Sequence, residues 1–328
     1  MSSDPTQFVG IDIGSKVHEV CVVDHGKIDK RTLKSAPVDH ARFIKTLDPA
    51  RCRVVMEATG VYYLDLAIDL VEAGIAVMVL NPRTAHHFMK ALGKRSSTDA
   101  ISAQALAEYA ERMPFKAWTP PPPLWLEFRA IARQINRLKK EETKIKSRVH
   151  ALKATRTCSP LILRDEQAGL LALGQRIERL LKAATEAIAR NDELKRFLDH
   201  LSVAKGFRET SIIPILGELL LLPRTMNGKQ CACHAGLDVR LKRSGTSVES
   251  KPRLSKAGNA YLRAPLFMPM LSVIQHEPLA KAHFERLVAR GKTPKQAIGA
   301  LMRKYLTGFW SVIRYDQPFD TSKLFAPQ

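Results

Sequence analysis

Three carboxylates in the first third of the chain stand where an acidic side chain has a chemical use. Asp12 lies inside the apolar run VGIDI, where an ionised carboxylate is costly unless a cation or several hydrogen-bond donors meet it. Glu57 ends the run VVME just before a glycine turn, and Asp99 opens a helical stretch. Each acid alone also fits a cap or a surface position. Together they predict a Mg²⁺ site suited to phosphodiester chemistry.

The surrounding pattern predicts an α/β layer that brings these acids together. Short β-branched runs alternate with helical periodicity, first as an antiparallel meander and then as strand–helix–strand units. If the first strand lies beside the fourth, Asp12 and Glu57 meet near the strand ends, and Asp99 closes the cluster from a helix that packs on the sheet. The predicted strands are 8–13, 17–24, 27–34, 53–58 and 75–80, and the predicted helices are 38–47, 61–74 and one that begins at Asp99.

Proline and heptad patterns divide the rest of the chain. The run TPPPP at 119–123 stops both helix and sheet, so the first domain is predicted at 1–118. Two heptad seams then predict an antiparallel coiled-coil hairpin for oligomerisation at 119–200, and 201–328 is predicted to be a mostly α domain with a cationic loop at 240–263. Basic residues off the first seam form either a solvated face or a phosphate-binding face. They include Arg133, Arg137, Lys140 and Lys144.

Composition indicates a soluble protein with a polyanionic partner. The chain has 328 residues and a net charge of +20, and its pI is about 9.9, which makes nucleic acid the expected partner. Aromatic residues make up only 6%, so contacts to the nucleic-acid backbone should dominate over base stacking. Five cysteines do not form a disulfide framework in a chain of this length, which indicates a reducing compartment. We expect no membrane span, because the apolar runs are short.

A series of motifs resembles one known family. In chain order these are GIDIGSK (10–16), VVMEATGVY (54–62), LNPR (80–83), STDAISAQALA (97–107), AGLDVRLKRSGTS (235–247) and SKAGNAYLR (255–263). The set is similar to the RuvC-like DEDD transposases of insertion sequences. These are bridge-RNA-guided recombinases, and they are related to the Piv-type pilin-gene invertases. The likeness runs through nearly the whole chain.

The resemblance implies an RNase H-like (RuvC-like) first domain whose four acids bind Mg²⁺. Three of these acids fall on Asp12, Glu57 and Asp99. The fourth belongs three residues after the third, on the same helical face, and here that position is Ser102. A serine hydroxyl is a neutral and weak metal ligand. The departure has three competing explanations: a divergent copy with lowered activity, an inactivating substitution, or a fourth ligand recruited from elsewhere.

The resemblance also implies a nucleophilic serine in the last domain, in a basic-x-Ser-Gly motif that falls on Ser244. A serine hydroxyl needs a base or metal close by, and cations to hold the scissile phosphate. Ser244 also fits a turn residue before a glycine, and three nearby serines are rivals for its role. The predicted phosphate clamp is Lys242, Arg243, Lys256 and Arg263, with Arg83 predicted beside the acids, and the rival serines are Ser247, Ser250 and Ser255.

By resemblance the partners are donor and target double-stranded DNA, a structured guide RNA and further copies of the chain. A dimer or tetramer would bring the serine of one protomer to the acids of another, in the nucleoid of a prokaryotic cytoplasm. Two alternatives remain open. Ser102 leaves a catalytically weakened nucleic-acid-binding scaffold, and the first hairpin also resembles an actin-like ATPase or kinase, although the second Asp-x-Gly hairpin and the Gly-Gly motif of that fold are missing.

Overall fold

A computed structural model describes residues 5–93, 98–244 and 248–326, and the chain divides into two compact units at Pro120. The first unit is a five-stranded sheet with helices on both faces. In the described residues, no helix has both the length and the apolarity that a membrane crossing needs. The elements of the first unit are β1 (Gln7–Ile13), β2 (Val17–Asp24), β3 (Lys27–Lys34), α1 (Pro37–Ile44), β4 (Cys52–Glu57), α2 (Leu64–Glu72), β5 (Ala76–Leu80), α3 (Pro82–Ala91) and α4 (Asp99–Arg112).

The sheet has the mixed order β3-β2-β1-β4-β5. β1 pairs antiparallel with β2 and parallel with β4, so the condition for Asp12 and Glu57 to meet, that the first strand lies beside the fourth, is fulfilled. This order agrees with the RNase H-like topology that the resemblance implies. Because side chains alternate along a strand, β1, β2 and β4 contribute apolar side chains to the cores on both faces of the sheet. Val9 and Ile11 pack towards α1 and α2, whereas Cys21 and Val55 pack towards α3 and α4.

Helix ends in the first unit follow local sequence chemistry. The Thr98 hydroxyl accepts a hydrogen bond from the backbone N–H of Ile101, which caps α4 and places Asp99 in its first turn. Gly74, which follows α2, has φ of +81°, as a helix-ending glycine requires. Asn81 caps α3 by accepting from the backbone N–H of Arg83. The start of α4 is therefore fixed by its own cap.

The second unit is mostly helical. It begins with two long helices joined by a short connection, and the pairing of Arg148 with Glu166 and of Leu138 with Leu173 and Ile177 shows that the two run antiparallel. Its elements are α5 (Pro123–Lys153), α6 (Pro160–Ala189), α7 (Asp192–Ser202), α8 (Glu209–Leu219), α9 (Gly228–His234), β6 (Val239–Ser244), β7 (Val248–Leu254), α10 (Ala260–His276), α11 (Pro278–Ala289), α12 (Pro294–Tyr315) and α13 (Thr321–Phe325).

The predicted boundary near residue 200 does not separate compact units. Phe128 and Ile135 of α5 and Ala184 of α6 belong to the same core as the helices after 200, because their apolar seam packs directly on α8. Only part of the seam is deeply buried, since Ile145 and Val149, nearer the far end of α5, are half-buried. Supercoiling and the predicted oligomerisation through this hairpin remain predictions.

The basic segment predicted as a loop at 240–263 forms a β-hairpin and then the first turn of α10, which corrects that expectation. β6 and β7 pair antiparallel, with Ser244 opposite Val248. Sequence patterns missed these strands because lysine and arginine replace the apolar alternation on which strand prediction depends. The backbones of Lys242, Arg243 and Ser244 lie in β6, whereas their side chains, and all of Ser247, lie outside the described residues.

A buried histidine in the first sheet leads to a pH prediction. His18 of β2 is fully buried, and its pKa is lowered first by burial and then by the neighbouring His40. A neutral buried histidine cannot take the proton that the unfolded chain binds below pH 6.5. Stability is therefore present above pH 6.5 and lost as the pH falls below it. We expect the free energy of unfolding, measured by urea titration, to fall less between pH 7 and 5 in His18→Gln than in the parent or in the exposed control His150→Gln.

Candidate functional site

Two of the acids predicted to hold metal, Asp12 and Glu57, lie on the face of the first sheet that packs on α4, and the third, Asp99, begins α4 itself. Asp12 alternates with Ile11 and Ile13, whose side chains pack on the opposite face, so its side chain points to the α4 side. Glu57 lies two residues after Val55, which packs on α4. The last registered pair of β1 and β4 is Ile11 with Met56, so Asp12 and Glu57 are the next residues along the two strands.

Gly10 lets α4 approach the sheet closely enough to bring Asp99 and Ser102 to this face. A Cβ atom at Gly10 would overlap the carbonyl oxygen of Ala103 and the amide nitrogen of Ala107. The backbone of β1 and that of α4 are therefore in direct contact, one alternation from Asp12. Ser102, one helical residue before Ala103, is buried and its hydroxyl hydrogen-bonds the Asp12 carboxylate.

Electrostatics confirm that these residues share one environment. Burial raises the pKa of Asp12, the charge of Asp99 raises it further, and the Ser102 hydroxyl lowers it by stabilising the ionised form. Burial likewise raises the pKa of Glu57, with an additional contribution from Asp12. Asp12 therefore couples to each of the other two acids. Asp12 is thus close enough to Glu57, Asp99 and Ser102 to sense each of them, and the role of these residues in holding metal stays a prediction.

The donor set fits a hard cation in chemistry, since carboxylate oxygens half-buried beside one another are stabilised in their ionised forms by a divalent ion. Within residues 5–93, 98–244 and 248–326, however, no three histidine, cysteine or acidic side chains already stand close enough to hold one ion. Asp99 is exposed at the first turn of α4, so its side chain has room to turn. A divalent ion held by these three acids would require their side chains to rotate towards one another.

Sequence reasoning missed a fourth carboxylate, Glu19. It lies in β2 directly opposite Asp12, on the same face of the sheet, and its charge also raises the pKa of Asp12. Its side chain accepts a hydrogen bond from the hydroxyl of Thr32 on β3. The signal was available, because antiparallel pairing across the turn at 14–16 places position 19 beside position 12.

A buried polar network in the second unit holds the start of α10. Glu218 is 3% exposed, and its carboxylate accepts hydrogen bonds from Nε and Nη2 of Arg133 and from the Asn259 amide, the last at 2.6 Å. Asn259 also caps α10 through the backbone N–H of Tyr261. Breaking such a buried pair on one side leaves an uncompensated charge. The network therefore fixes the segment that follows the β6–β7 hairpin.

The neck of that hairpin is closed by its own motif residues. The Ser255 hydroxyl donates to the Asp238 carboxylate, and the Ser255 backbone N–H donates to the Asp238 carbonyl at 2.9 Å. A Cβ at Gly258 would overlap the carbonyl of His234 and the amide of Gly236, so the two glycine motifs pack backbone to backbone. Ser255, a rival for the nucleophile, is thus engaged in closing the neck.

The predicted cationic residues have separate environments. Arg83 is exposed in the first turn of α3, directly after β5, whose Leu80 pairs with Glu57. Arg133 is engaged by Glu218 and lies over the Tyr261 ring. Arg137 is exposed on α5. Four further predicted cations lie in the second unit: Lys140 and Lys144 border cavities beside α5, and Lys256 and Arg263 lie near the hairpin neck. That any of these residues contacts phosphate remains a prediction.

Comparison with known proteins places the chain among the transposases. A family model for DEDD-type IS110 transposases matches residues 9–154, and one described as "Transposase IS116/IS110/IS902 family" matches residues 198–285. The "Pilin gene-inverting protein" of Moraxella bovis is 27% identical over 327 residues, 95% of this chain and 97% of the relative. Its counterpart in Moraxella lacunata gives the same figures. The chain belongs to the IS110-type DEDD transposase family, and is related to the Piv-type pilin-gene invertases.

Two further likenesses cover less of the chain. An "Insertion element IS110 uncharacterized 43.6 kDa protein" of Streptomyces coelicolor is 30% identical over 93 residues, 28% of this chain and 22% of the relative. A solved structure of T. thermophilus RuvC in complex with a Holliday junction substrate covers 34% of this chain and 98% of its own, at 19% identity and a TM-score of 0.26. A structural likeness this low supports no argument.

Proposed function

We propose that the chain is a Mg²⁺-dependent DNA transposase or site-specific recombinase that cleaves and rejoins strands through a covalent Ser-DNA intermediate. The observation that carries the proposal is the common face of Asp12, Glu57 and Asp99, in a chain that matches transposases over most of its length. Asp12, Glu57 and Asp99 would hold the ion. A Mg²⁺ ion held by them would supply positive charge to offset the negative charge of the scissile phosphate and leaving oxygen.

In this proposal Ser244 supplies the nucleophile. Its hydroxyl oxygen forms a bond to phosphorus while the bond from phosphorus to a sugar oxygen breaks, so a phosphodiester is exchanged for another of similar energy. The serine proton passes to a nearby base, and the departing sugar oxygen takes up a proton. Rejoining reverses the exchange with the hydroxyl of another strand, and no nucleotide cofactor is needed. Ser244 ends β6, a strand that also carries Lys242 and Arg243, so cations flank it in sequence.

The partners follow from the family as part of the proposal. These are donor and target DNA, a structured guide RNA, and a second copy of the chain whose Ser244 meets the acids of the first.

The test combines the purified full chain with RNA transcribed from the DNA that flanks its gene and a supercoiled plasmid carrying the element ends. Strand cleavage in Mg²⁺ that EDTA abolishes supports the proposal. Tight binding without any cleavage supports the second candidate, a weakened nucleic-acid-binding scaffold, which Ser102 favours. The family assignment leaves the actin-like alternative without support.

Ser102→Asp is expected to raise Mg²⁺-dependent cleavage about tenfold, because it adds a carboxylate where only a hydroxyl now meets Asp12. Without Mg²⁺ the new carboxylate is buried next to Asp12, so the Tm should fall, and adding Mg²⁺ should restore it. Ser102→Asn, of similar size and no charge, is the control. A cleavage rate and a Mg²⁺-dependent Tm that both stay at the parent values would contradict a metal role for this position.

A further inference from the structure

The second unit contains a cavity of about 530 Å³ bordered by the hairpin neck, α5, α10 and α12. Its cationic lining comes from all of these elements, and none of the described residues that line it is acidic. A volume of this size lies within the range of sites that bind one small organic molecule, roughly 300–1,000 Å³. The cationic residues of the lining are Lys140, Arg253, Lys256, Arg263 and Lys295.

The walls of this cavity are apolar. Phe267 of α10, Leu254 of β7 and Met302 of α12 contribute the large side chains, with small residues between them. Phe267 is 39% exposed, although the aromatic side chains of the neighbouring core, such as Phe309, are fully buried. An aromatic ring held open to solvent beside cations is an arrangement that stacks on another ring.

The cations have charge to offer a ligand. In the part of the chain that the structure describes, none of the five forms an ion pair with a carboxylate. Arg263 donates one nitrogen to the Ala235 carbonyl, and the Lys140 ammonium lies 5.6 Å from the centre of the Tyr261 ring. Lys256 has φ of +51°, a left-handed conformation unusual for lysine, which its backbone bond to the Gly236 carbonyl maintains.

We propose that this cavity binds one unpaired nucleotide of a nucleic-acid strand, with its base against Phe267 and Met302 and its phosphate among the cations. The inference rests on the proposed function, and adds a ligand that the acids and Ser244 do not require. A double helix is too wide to enter the cavity. If only the phosphates of a duplex contacted the cations, the apolar walls would have no binding partner. A base carrying a phosphate satisfies both surfaces, because every base has a π-face and every phosphate a negative charge.

A second cavity, of about 550 Å³, adjoins the first and could hold the next part of the strand. It adjoins the first at Lys140 and Ala264, which line both, and continues along α5 past Lys139 and Lys144. Thr210 and Ser211, at the start of α8, add hydroxyl groups to its lining. The next phosphates of the strand would follow this route, so the nucleotide in the first cavity is one position of a continuous strand.

The experiment measures binding of the full chain to fluorescent probes by anisotropy. The probes are a short single strand of DNA, the same strand in RNA, each strand with abasic sites, and a blunt DNA duplex. The variants are Phe267→Ala, which removes the stacking ring, and Lys295→Gln, which removes one cation. Leu271→Ala, on the same helix with nearly the same exposure, and Lys292→Gln, three residues from Lys295, are matched controls outside both cavities.

We expect Phe267→Ala to weaken single-strand binding at least about fivefold, the loss of one base stack, and to leave duplex binding within about twofold. Lys295→Gln should weaken single-strand binding and reduce its salt dependence, while both controls behave as the parent. The stronger of the DNA and RNA arms identifies the source of the strand. Abasic strands should bind the parent and Phe267→Ala equally.

Other outcomes would overturn the proposal. If Phe267→Ala weakens binding of the duplex as much as binding of the single strand, the cavity does not bind a base. The same conclusion holds if Phe267→Ala changes neither affinity. If intact and abasic strands bind the parent equally, the apolar walls have another use. If the parent chain does not bind the DNA duplex at all, that result would count against the proposed recombinase function. The single-strand measurements would still test whether the cavity binds a nucleotide. If Phe267→Ala fails to fold, the proposal is tested by comparing the single-strand affinities of Lys295→Gln and Lys292→Gln, since both positions are exposed. Equal affinities in these two variants would contradict it.

Discussion

Asp12→Asn is expected to reduce Mg²⁺-dependent DNA cleavage roughly a thousandfold, because it removes the carboxylate that couples to both other acids. The substitution keeps the size of the side chain and its hydrogen bond with Ser102. It also removes a charge that burial and Asp99 disfavour, so the variant should be at least as stable as the parent without Mg²⁺. Cleavage of the plasmid and Tm with and without Mg²⁺ are the measurements.

The Tm measurement separates a catalytic role from a structural one. The stabilisation that Mg²⁺ gives the parent should shrink in Asp12→Asn and persist in Asp29→Asn, an exposed acid on the same sheet. Cleavage by Asp29→Asn should match the parent. A variant that cleaves normally without Asp12, or that keeps the full Mg²⁺ stabilisation, would remove the metal site from this face of the sheet.

Ser244→Ala is expected to abolish the covalent protein-DNA adduct on denaturing gels, along with strand cleavage. No other group supplies the attacking oxygen in the proposed mechanism, so the loss should reach the detection limit. DNA binding should stay within about twofold of the parent, because an alanine removes no charge. The adduct should persist in Ser250→Ala and Ser255→Ala, although the latter loses the bond to Asp238 and some stability.

The rival serines make this experiment decisive. If the adduct survives in Ser244→Ala and disappears in Ser247→Ala or Ser250→Ala, then the serine removed in that second variant is the nucleophile. Cleavage without any adduct in the parent would instead indicate direct attack by water, and the chain would then be a nuclease of the same fold without a covalent step.

Much of the first unit follows from local patterns. Alternation over 27–34 predicted β3 at its observed bounds, and the Thr98 cap predicted the start of α4. The neighbouring positions of Asp12 and Glu57 needed only the assumption that the first strand lies beside the fourth. Ser102 was identified by resemblance, and its bond to Asp12 explains how a neutral residue is accommodated there.

Features that depend on distant partners were not predictable. Arg133 looked like one more exposed cation of α5, until α8 brought Glu218 against it. The hairpin β6–β7 was missed because its charged residues hide the strand pattern. In each instance tertiary contact overrides the local signal.

The backbone contact at Gly10 has a practical consequence for engineering. Since the sheet and α4 touch there without an intervening side chain, the spacing between Asp12 and the helix positions 99 and 102 depends on that contact. A library that diversifies position 10 will therefore push α4 away from β1, and we expect its members to be inactive even though Gly10 itself touches no substrate.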